Sequence, residues 1–133
     1  MSSKGIAIAL ADGISSSEVS QVASEASVKG FLEDYYCTSE SWSVKTSVQR
    51  VLLATNSWLH SLTRQSQYRF ESKDRGYVCT FSAMIIKSTS AHIFHVGDSR
   101  VYRLSTNRLE QLTKDHRLWV SQEKSYLSRA LGV

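Results

Sequence analysis

The sequence predicts an α+β fold in which two helices lie on an antiparallel sheet. Three observations lead to this class: a short apolar run near the start, two long segments with apolar residues at helical spacing, and a later series of short alternating runs. A helix with one apolar stripe needs a second layer to cover that stripe. Because one run precedes the helices and several follow them, the covering layer is predicted to be a sheet.

Length and composition indicate one globular domain over residues 1–133. Hydrophobic residues make up 41% of the chain and charged residues 21%, and no stretch approaches the roughly 18 apolar residues of a membrane span. Met1–Gly5 lacks the apolar core of a signal peptide. Cys37 and Cys79 stand alone, without the spacing of a metal or redox motif. We therefore expect a cytoplasmic protein with reduced thiols and no membrane partner.

The net charge of +4 is concentrated in the last quarter of the chain. Residues 1–99 carry nine basic and nine acidic side chains, whereas residues 100–133 carry seven basic and three acidic ones. A basic excess is typical of nucleic-acid-binding proteins, but here the basic residues stand singly and form no run. We expect no nucleic-acid partner, and the charge suits a solvated face or an acidic protein partner.

The first predicted elements are a strand and a helix. Ile6–Ala11 is a continuous apolar run, which predicts a strand buried on both faces. Asp12-Gly13 ends the strand, and Ser15–Ser17 followed by Glu18 supplies the capping and acidic residues of a helix start. The helix is predicted to reach about residue 35, and its inner stripe is expected to contain Val19, Val22, Ala23, Ala26 and Gly30.

A second helix, predicted over residues 43–67, has the clearest periodicity in the chain. Its apolar stripe repeats at three- and four-residue intervals. The members of this stripe are Val44, Val48, Val51, Leu52, Thr55, Leu59 and Leu62. The segment Gln67–Arg75, which is charged and aromatic, is predicted to be a loop.

The second half of the chain predicts an antiparallel meander of at least four strands. The first of them, Tyr77–Ile86, alternates between a bulkier set of residues, expected to face the core, and a smaller set. Three further strands follow at Ala91–Val96, Val101–Leu104 and Leu109–Leu112. Thr113–His116 is typical of a helix start, and a helix is predicted from there to about Glu123.

Asp98 lies in a Gly-Asp-Ser-Arg turn between two of these predicted strands. Its carboxylate can accept backbone N–H groups, pair with Arg100, or bind a hard cation. Asp12 stands at a comparable place, and strand ends that face one edge of a sheet bring carboxylates together. Such a cluster suits Mg²⁺ or Mn²⁺ rather than zinc. Two structural turn aspartates, with Asp98 paired to Arg100, remain the alternative.

The histidines give a weaker signal. His92 and His95 are three residues apart in a predicted strand, and therefore lie on opposite faces, so a shared metal is not expected. His116 is expected to cap or to pack.

Four blocks of residues, spread in order along the chain, carry a family resemblance. They are Ala9–Gly13 followed by a helix with Ala23-Ser24, Val78–Ala83, His95–Tyr102 continued by Leu109–His116, and Leu127–Gly132. These blocks resemble the metal-dependent protein serine/threonine phosphatases of type 2C. The residue sequence of these blocks is also similar to the phosphatase half of bacterial proteins that join such a domain to a protein kinase.

The resemblance implies an α-β-β-α sandwich with a centre of two or more Mn²⁺ or Mg²⁺ ions. It implies hydrolysis of phosphoproteins by a metal-activated water, without a protein nucleophile. Among the implied ligands, Asp12 bridges two ions, Gly13 holds one through its carbonyl, and Asp98 helps to bind a further, weaker ion. Ser99 and Arg100 are the implied supporting residues.

The sequence also departs from the family pattern. Ile14–Glu18 stands where the family often has a histidine proposed as general acid. The family's upstream arginine and its later metal-ligand segments have no counterpart. We therefore expect a partial catalytic domain, incomplete at both ends, nearly inactive by itself and prone to self-association through exposed sheet edges. The alternative is a non-catalytic phosphatase-like module that binds or regulates a partner kinase.

Overall fold

A three-stranded antiparallel sheet forms the centre of the structure. The computed structural model describes residues 4–13, 18–65, 76–119, 125–127 and 129–131. Strand β2 (Cys79–Lys87) lies between β1 (Ile6–Gly13) and β3 (Ser90–Val96), close to the predicted bounds of all three strands. Because both pairings are antiparallel, the end of β1, the start of β2 and the end of β3 lie at one edge of the sheet.

Two helices cover one face of this sheet. Helix α1 spans Glu18–Tyr36 and helix α2 spans Val44–Gln65. As expected, the bulkier set of β2 faces the core, and the Phe81 ring meets the Phe31 ring of α1 edge-on at 5.2 Å between centroids. Both rings are fully buried. This contact fixes α1 against β2, the central strand of the sheet.

The prediction that β1 is buried on both faces is wrong. The alanines of β1 pack against the core, and the residues between them are exposed. The exposed fractions of Ile6, Ile8 and Leu10 are 45%, 48% and 60%. An apolar run without polar residues carries no signal that separates a strand covered on one face from a strand covered on both. Here the small side chains are those that let α1 come close.

The buried stripe of α1 also differs from the prediction. Its members are Ser20, Ala23, Ser27, Phe31 and Tyr35, so Ala23 is the one predicted member that is fully buried, and Val22 is half exposed. Serine is tolerated inside because the Ser27 hydroxyl donates to the Ala23 carbonyl at 2.6 Å and lies 3.5 Å from Cys79 Sγ. The predicted caps at Ser15–Ser17 lie outside the described residues.

The stripe of α2 is confirmed. Val44, Val48, Val51 and Leu59 are buried, and Ser43 caps the helix by accepting a hydrogen bond from the Thr46 N–H at 3.1 Å. The predicted loop over residues 67–75 lies outside the described part of the chain. Neither described helix combines the length and apolarity that a membrane span requires.

The later strands do not continue the main sheet. Among the described strands, β4 (Tyr102–Ser105) and β5 (Arg108–Gln111) pair only with each other, so the predicted meander of four strands in one sheet is wrong. Gly97, which directly follows β3, has a φ of 111° and turns the chain out of the sheet. Glycine adopts this conformation because it has no Cβ.

The predicted helix from Thr113 to about Glu123 is wrong as well. The chain is extended there and enters β6 (Arg117–Trp119), which pairs with β7 (Ser125–Leu127), while residues 120–124 lie outside the described ranges. The side chains that suggested a helix cap bond to residues 97–101 instead. A local pattern of capping residues cannot reveal such a distant partner.

Candidate metal centre

Asp12 and Asp98, the two predicted carboxylates, lie at the same edge of the main sheet. In the β1–β2 pairing Asp12 is opposite Thr80, and Gly13 is opposite Cys79. Asp98 lies in the turn directly after β3, whose last residue pairs near the start of β2. This placement agrees with the prediction made from the two strand ends. The Asp12 side chain is exposed and that of Asp98 is partly exposed, so both are accessible from solvent.

Thr80 connects the two strand ends. Its Oγ1 accepts a hydrogen bond from the Asp12 backbone N–H at 3.2 Å and lies 3.0 Å from Ser99 Oγ. Thr80 is only 3% exposed, so these protein contacts, rather than water, satisfy its hydroxyl. The backbone of Asp12 and the turn that carries Asp98 are thus held on one buried hydroxyl.

Two glycines allow close approach of the backbone at this edge. A Cβ placed on Gly97 would lie 2.7 Å from Thr80 Cβ, and one placed on Gly13 would lie 2.7 Å from Ser20 Cβ on α1. Both distances are shorter than any ordinary contact between carbon atoms. The edge therefore depends on the absence of a side chain at both positions.

The alternative of two structural turn aspartates required an Arg100–Asp98 pair. The structure pairs Arg100 with Asp115 instead. Its Nε and Nη2 donate to the two carboxylate oxygens of Asp115 at 3.0 Å and 2.7 Å, and its Nη1 donates to Tyr102 Oη at 3.1 Å. The hydrogen bonds from Arg100 hold the pKa of the Asp115 carboxyl below its usual value, and the same contacts raise the pKa of Arg100. The printed partners of the Arg100 guanidinium are thus Asp115 and Tyr102.

A pair of histidines packs beside the turn. The rings of His95 and His116 lie 4.8 Å apart, and Nδ1 of His116 accepts a hydrogen bond from the Gly97 N–H at 2.9 Å. Burial, with the nearby charge of His95, lowers the pKa of His116. The expectation that His116 packs is confirmed. His92 and His95 lie on opposite faces of β3, as period two requires.

We expect the folded protein to lose stability as the pH falls below 6.5. The usual pKa of 6.5 for histidine is lowered for His116 in the folded state, so the unfolded chain binds the proton first. Neutral His116 contributes fully to the free energy of unfolding above pH 6.5. This contribution decreases as the pH falls from 6.5 towards the pKa of His116 in the folded protein. An NMR titration of the His116 ring should give a midpoint below 6.5; a midpoint at or above that value would contradict the stated environment.

The oxygen donors at this edge are of the chemical types that bind a hard divalent cation. They are the carboxylates of Asp12 and Asp98 and the backbone carbonyl of Gly13, the donor types that Mg²⁺ and Mn²⁺ prefer. Among the described residues, no three His, Cys, Asp or Glu side chains lie close enough to form a metal site by themselves. Because such an ion takes about six oxygen ligands, these three donors cannot complete its coordination by themselves.

Three residues that shape this edge were missed as functional candidates: Thr80, Asp115 and His116. All three stand inside the sequence blocks that carry the family resemblance. Their position in those blocks was the available signal. The contacts described above join them to residues 15 or more positions away in the chain, so no local pattern could have assigned these contacts.

Comparison with known proteins gives consistent results. The family model described as protein phosphatase 2C matches residues 1–129. The serine/threonine phosphatase stp of Listeria welshimeri serovar 6b is 31% identical over 147 aligned positions, which cover 95% of this chain and 55% of that protein. The chain thus spans about half the length of this curated relative.

The fold comparison agrees with the sequence comparison. The serine/threonine phosphatase PstP/Ppp of Mycobacterium tuberculosis matches with a TM-score of 0.68 at 22% identity, covering 84% of this chain and 45% of that one. This similarity confirms the predicted α+β class.

Proposed function

Because this chain belongs to the protein phosphatase 2C family, we propose that residues 1–133 form part of a catalytic domain that hydrolyses phosphoserine and phosphothreonine in proteins. One observation carries the proposal: Asp12 and the Asp98 turn meet at one sheet edge, held through the buried hydroxyl of Thr80. Two solvent-accessible carboxylates, one at a strand end and one in the turn after a strand, are suited to holding cations beside a phosphate ester.

Divalent-metal dependence is general in this family, and we propose that Mn²⁺ or Mg²⁺ serves here. The ligands from this chain would be the carboxylates of Asp12 and Asp98 and the carbonyl of Gly13. Such ions, when bound, activate water and stabilise charge on the phosphoryl group. The protein's own part is to hold these oxygens in place. Ser99 does so through Thr80, and Arg100 does so through Asp115.

The proposed partners follow from this activity. The substrate is a phosphoprotein, and a protein kinase, linked to this domain or separate, would supply it. We propose the cytoplasm as the compartment, because Cys37 and Cys79 are both free thiols and reduced cysteines persist there.

One departure from the family supports a second candidate, a non-catalytic module that binds or regulates a kinase. The residues after Asp12-Gly13 include no histidine in Ile14–Glu18, so the usual candidate for the general acid is lacking. The two candidates differ in a single measurable property, turnover.

Phosphate release from phosphoserine and phosphothreonine peptides by the full-length protein distinguishes them. We expect turnover with Mn²⁺ or Mg²⁺, and its loss when a chelator removes the metal. An inactive full-length protein at saturating metal would contradict the proposed phosphatase activity and favour the non-catalytic module.

The isolated chain should bind Mn²⁺ weakly and be nearly inactive, because Asp12 and Asp98 are its only carboxylates that match family ligands.

We also propose that the isolated chain self-associates. In the described main sheet β1 is an edge strand, and it carries the exposed Ile6, Ile8 and Leu10. Unpaired backbone groups on an apolar edge readily pair with a second chain. Sedimentation should show a mass that rises with concentration, and Leu10→Lys should reduce that rise. A monomer at every concentration would contradict the proposal.

A further inference from the structure

A short extended segment lies alongside the turn that carries Asp98. It is Leu112–His116, called here the clasp, and each of its residues bonds to the stretch from His95 to Val101. The Leu112 N–H donates to the Val101 carbonyl at 2.9 Å, and Thr113 Oγ1 accepts from the Val101 N–H at 3.2 Å. The carbonyl of Lys114 lies 2.9 Å from His95 Nε2. The clasp therefore runs along the whole turn.

The last residue of the clasp holds the residue before Asp98. The His116 ring accepts a hydrogen bond at Nδ1 from the Gly97 N–H, and the His116 N–H donates to the Gly97 carbonyl, both at 2.9 Å. Both backbone groups of Gly97 are thus bonded to one residue. Because Nδ1 is an acceptor, the ring proton of neutral His116 lies on Nε2. Gly97 has a φ of 111°, and these bonds hold it in that conformation.

The neighbouring residue of the clasp holds the chain after Asp98. Asp115 accepts two hydrogen bonds from Arg100 through separate carboxylate oxygens. A bidentate pair fixes direction as well as distance. The Asp98-Ser99 pair is therefore flanked on both sides by residues bound to the adjacent Asp115 and His116, and Ser99 is bonded to Thr80 from the sheet.

We propose that His116 and Asp115 are positioning residues that preset the Asp98 carboxylate for a divalent cation. The inference rests on the proposed function, and neither residue is assigned as a ligand or as a group that touches substrate. A turn built on glycine would otherwise sample several conformations, and ordering it would reduce the affinity for the ion. Because the clasp orders the turn when the protein folds, binding of the ion does not have to order it.

The test measures Mn²⁺ binding by calorimetry in the full-length protein. Mutation of a residue that orients a metal ligand typically lowers metal affinity by tenfold or more. H116A should therefore weaken Mn²⁺ binding about tenfold. H116N offers a carbonyl oxygen to the Gly97 N–H and should bind within about threefold of wild type. In turnover assays, excess Mn²⁺ should restore kcat in H116A and leave the KM for phosphopeptide unchanged.

Two further variants separate positioning from general stability. V51A removes buried atoms from α2, where Val51 is 6% exposed, and lowers stability through a helix that supplies none of the clasp's bonds described above. It should leave Mn²⁺ affinity unchanged. D115N keeps the shape of Asp115 but loses the charge that orders Arg100, and should weaken Mn²⁺ binding. H116N and D115N also keep the inference testable should H116A fail to fold.

The outcomes distinguish this inference from the proposed function. Wild-type protein that binds no Mn²⁺ would overturn both. Wild-type protein that binds Mn²⁺ and hydrolyses phosphopeptides, while H116A and D115N bind Mn²⁺ equally well, would overturn the inference alone. Equal weakening in V51A and H116A would also overturn it, since the effect would then follow from lost stability.

Discussion

Replacing Asp12 by Asn is expected to lower the turnover of the full-length protein about a thousandfold. Asparagine has the shape of aspartate but no charge, so it cannot offset the positive charge of the cations that Asp12 is proposed to bind. The several kcal/mol that bound metal contributes to such reactions correspond to about three powers of ten in rate. Phosphate release at saturating peptide, with Mn²⁺ in excess, measures this change.

The folded structure itself should be unaffected in D12N. The Asp12 side chain is exposed, and its contact to Thr80 uses the backbone N–H, which the substitution keeps. The free energy of unfolding should therefore change by less than about 0.5 kcal/mol. D34N, at an exposed position of α1 remote from the edge, is the matched control and should retain full activity. Activity in D12N above about a tenth of wild type would show that Asp12 is not a principal ligand.

The substitution Gly97→Ala is expected to cost about 3 kcal/mol in the free energy of unfolding. Two effects combine: a φ of 111° that other residues rarely adopt, and a new Cβ only 2.7 Å from Thr80 Cβ and Cγ2. Because Thr80 contacts both Asp12 and Ser99, relief of the clash would also displace the sheet edge that carries Asp12 and Asp98. Urea denaturation of wild type and variant measures the difference.

Gly30→Ala provides the control for this substitution. Gly30 lies within α1, and a Cβ there would meet nothing within 4 Å. The same change should therefore stabilise the protein, by about 0.5–1 kcal/mol, since alanine is the better helix former. If G97A were as stable as G30A, the tight contact between the turn and Thr80 would be disproved.

Local patterns predicted the elements well where burial follows one face. In α2 the large apolar side chains repeat on one face and are buried there. In β2 the bulkier alternate residues form the core as predicted, although Thr80 and Ser82 between them are buried as well. The stripe of α1 was misplaced because the core accepts Ser20 and Ser27, whose hydroxyls can bond inside it. Hydrophobicity alone cannot identify buried serines.

Arrangement between elements was harder to predict. The shared edge of Asp12 and Asp98 followed from strand ends, because antiparallel neighbours bring the end of one strand to the start of the next. The separation of β4 and β5 from the main sheet depended on the turn at Gly97. The partner of Arg100 is Asp115, 15 residues away in the chain, and no periodicity encodes such a contact.

The central claim is that Asp12 and Asp98 are metal ligands at one edge of the sheet, with the tighter binding at Asp12. Calorimetric titration of full-length wild type, D12N and D98N with Mn²⁺ tests it most directly. The account predicts that D98N loses only the weaker phase of binding, whereas D12N loses the tight phase. A D12N titration that superimposes on that of wild type would contradict it.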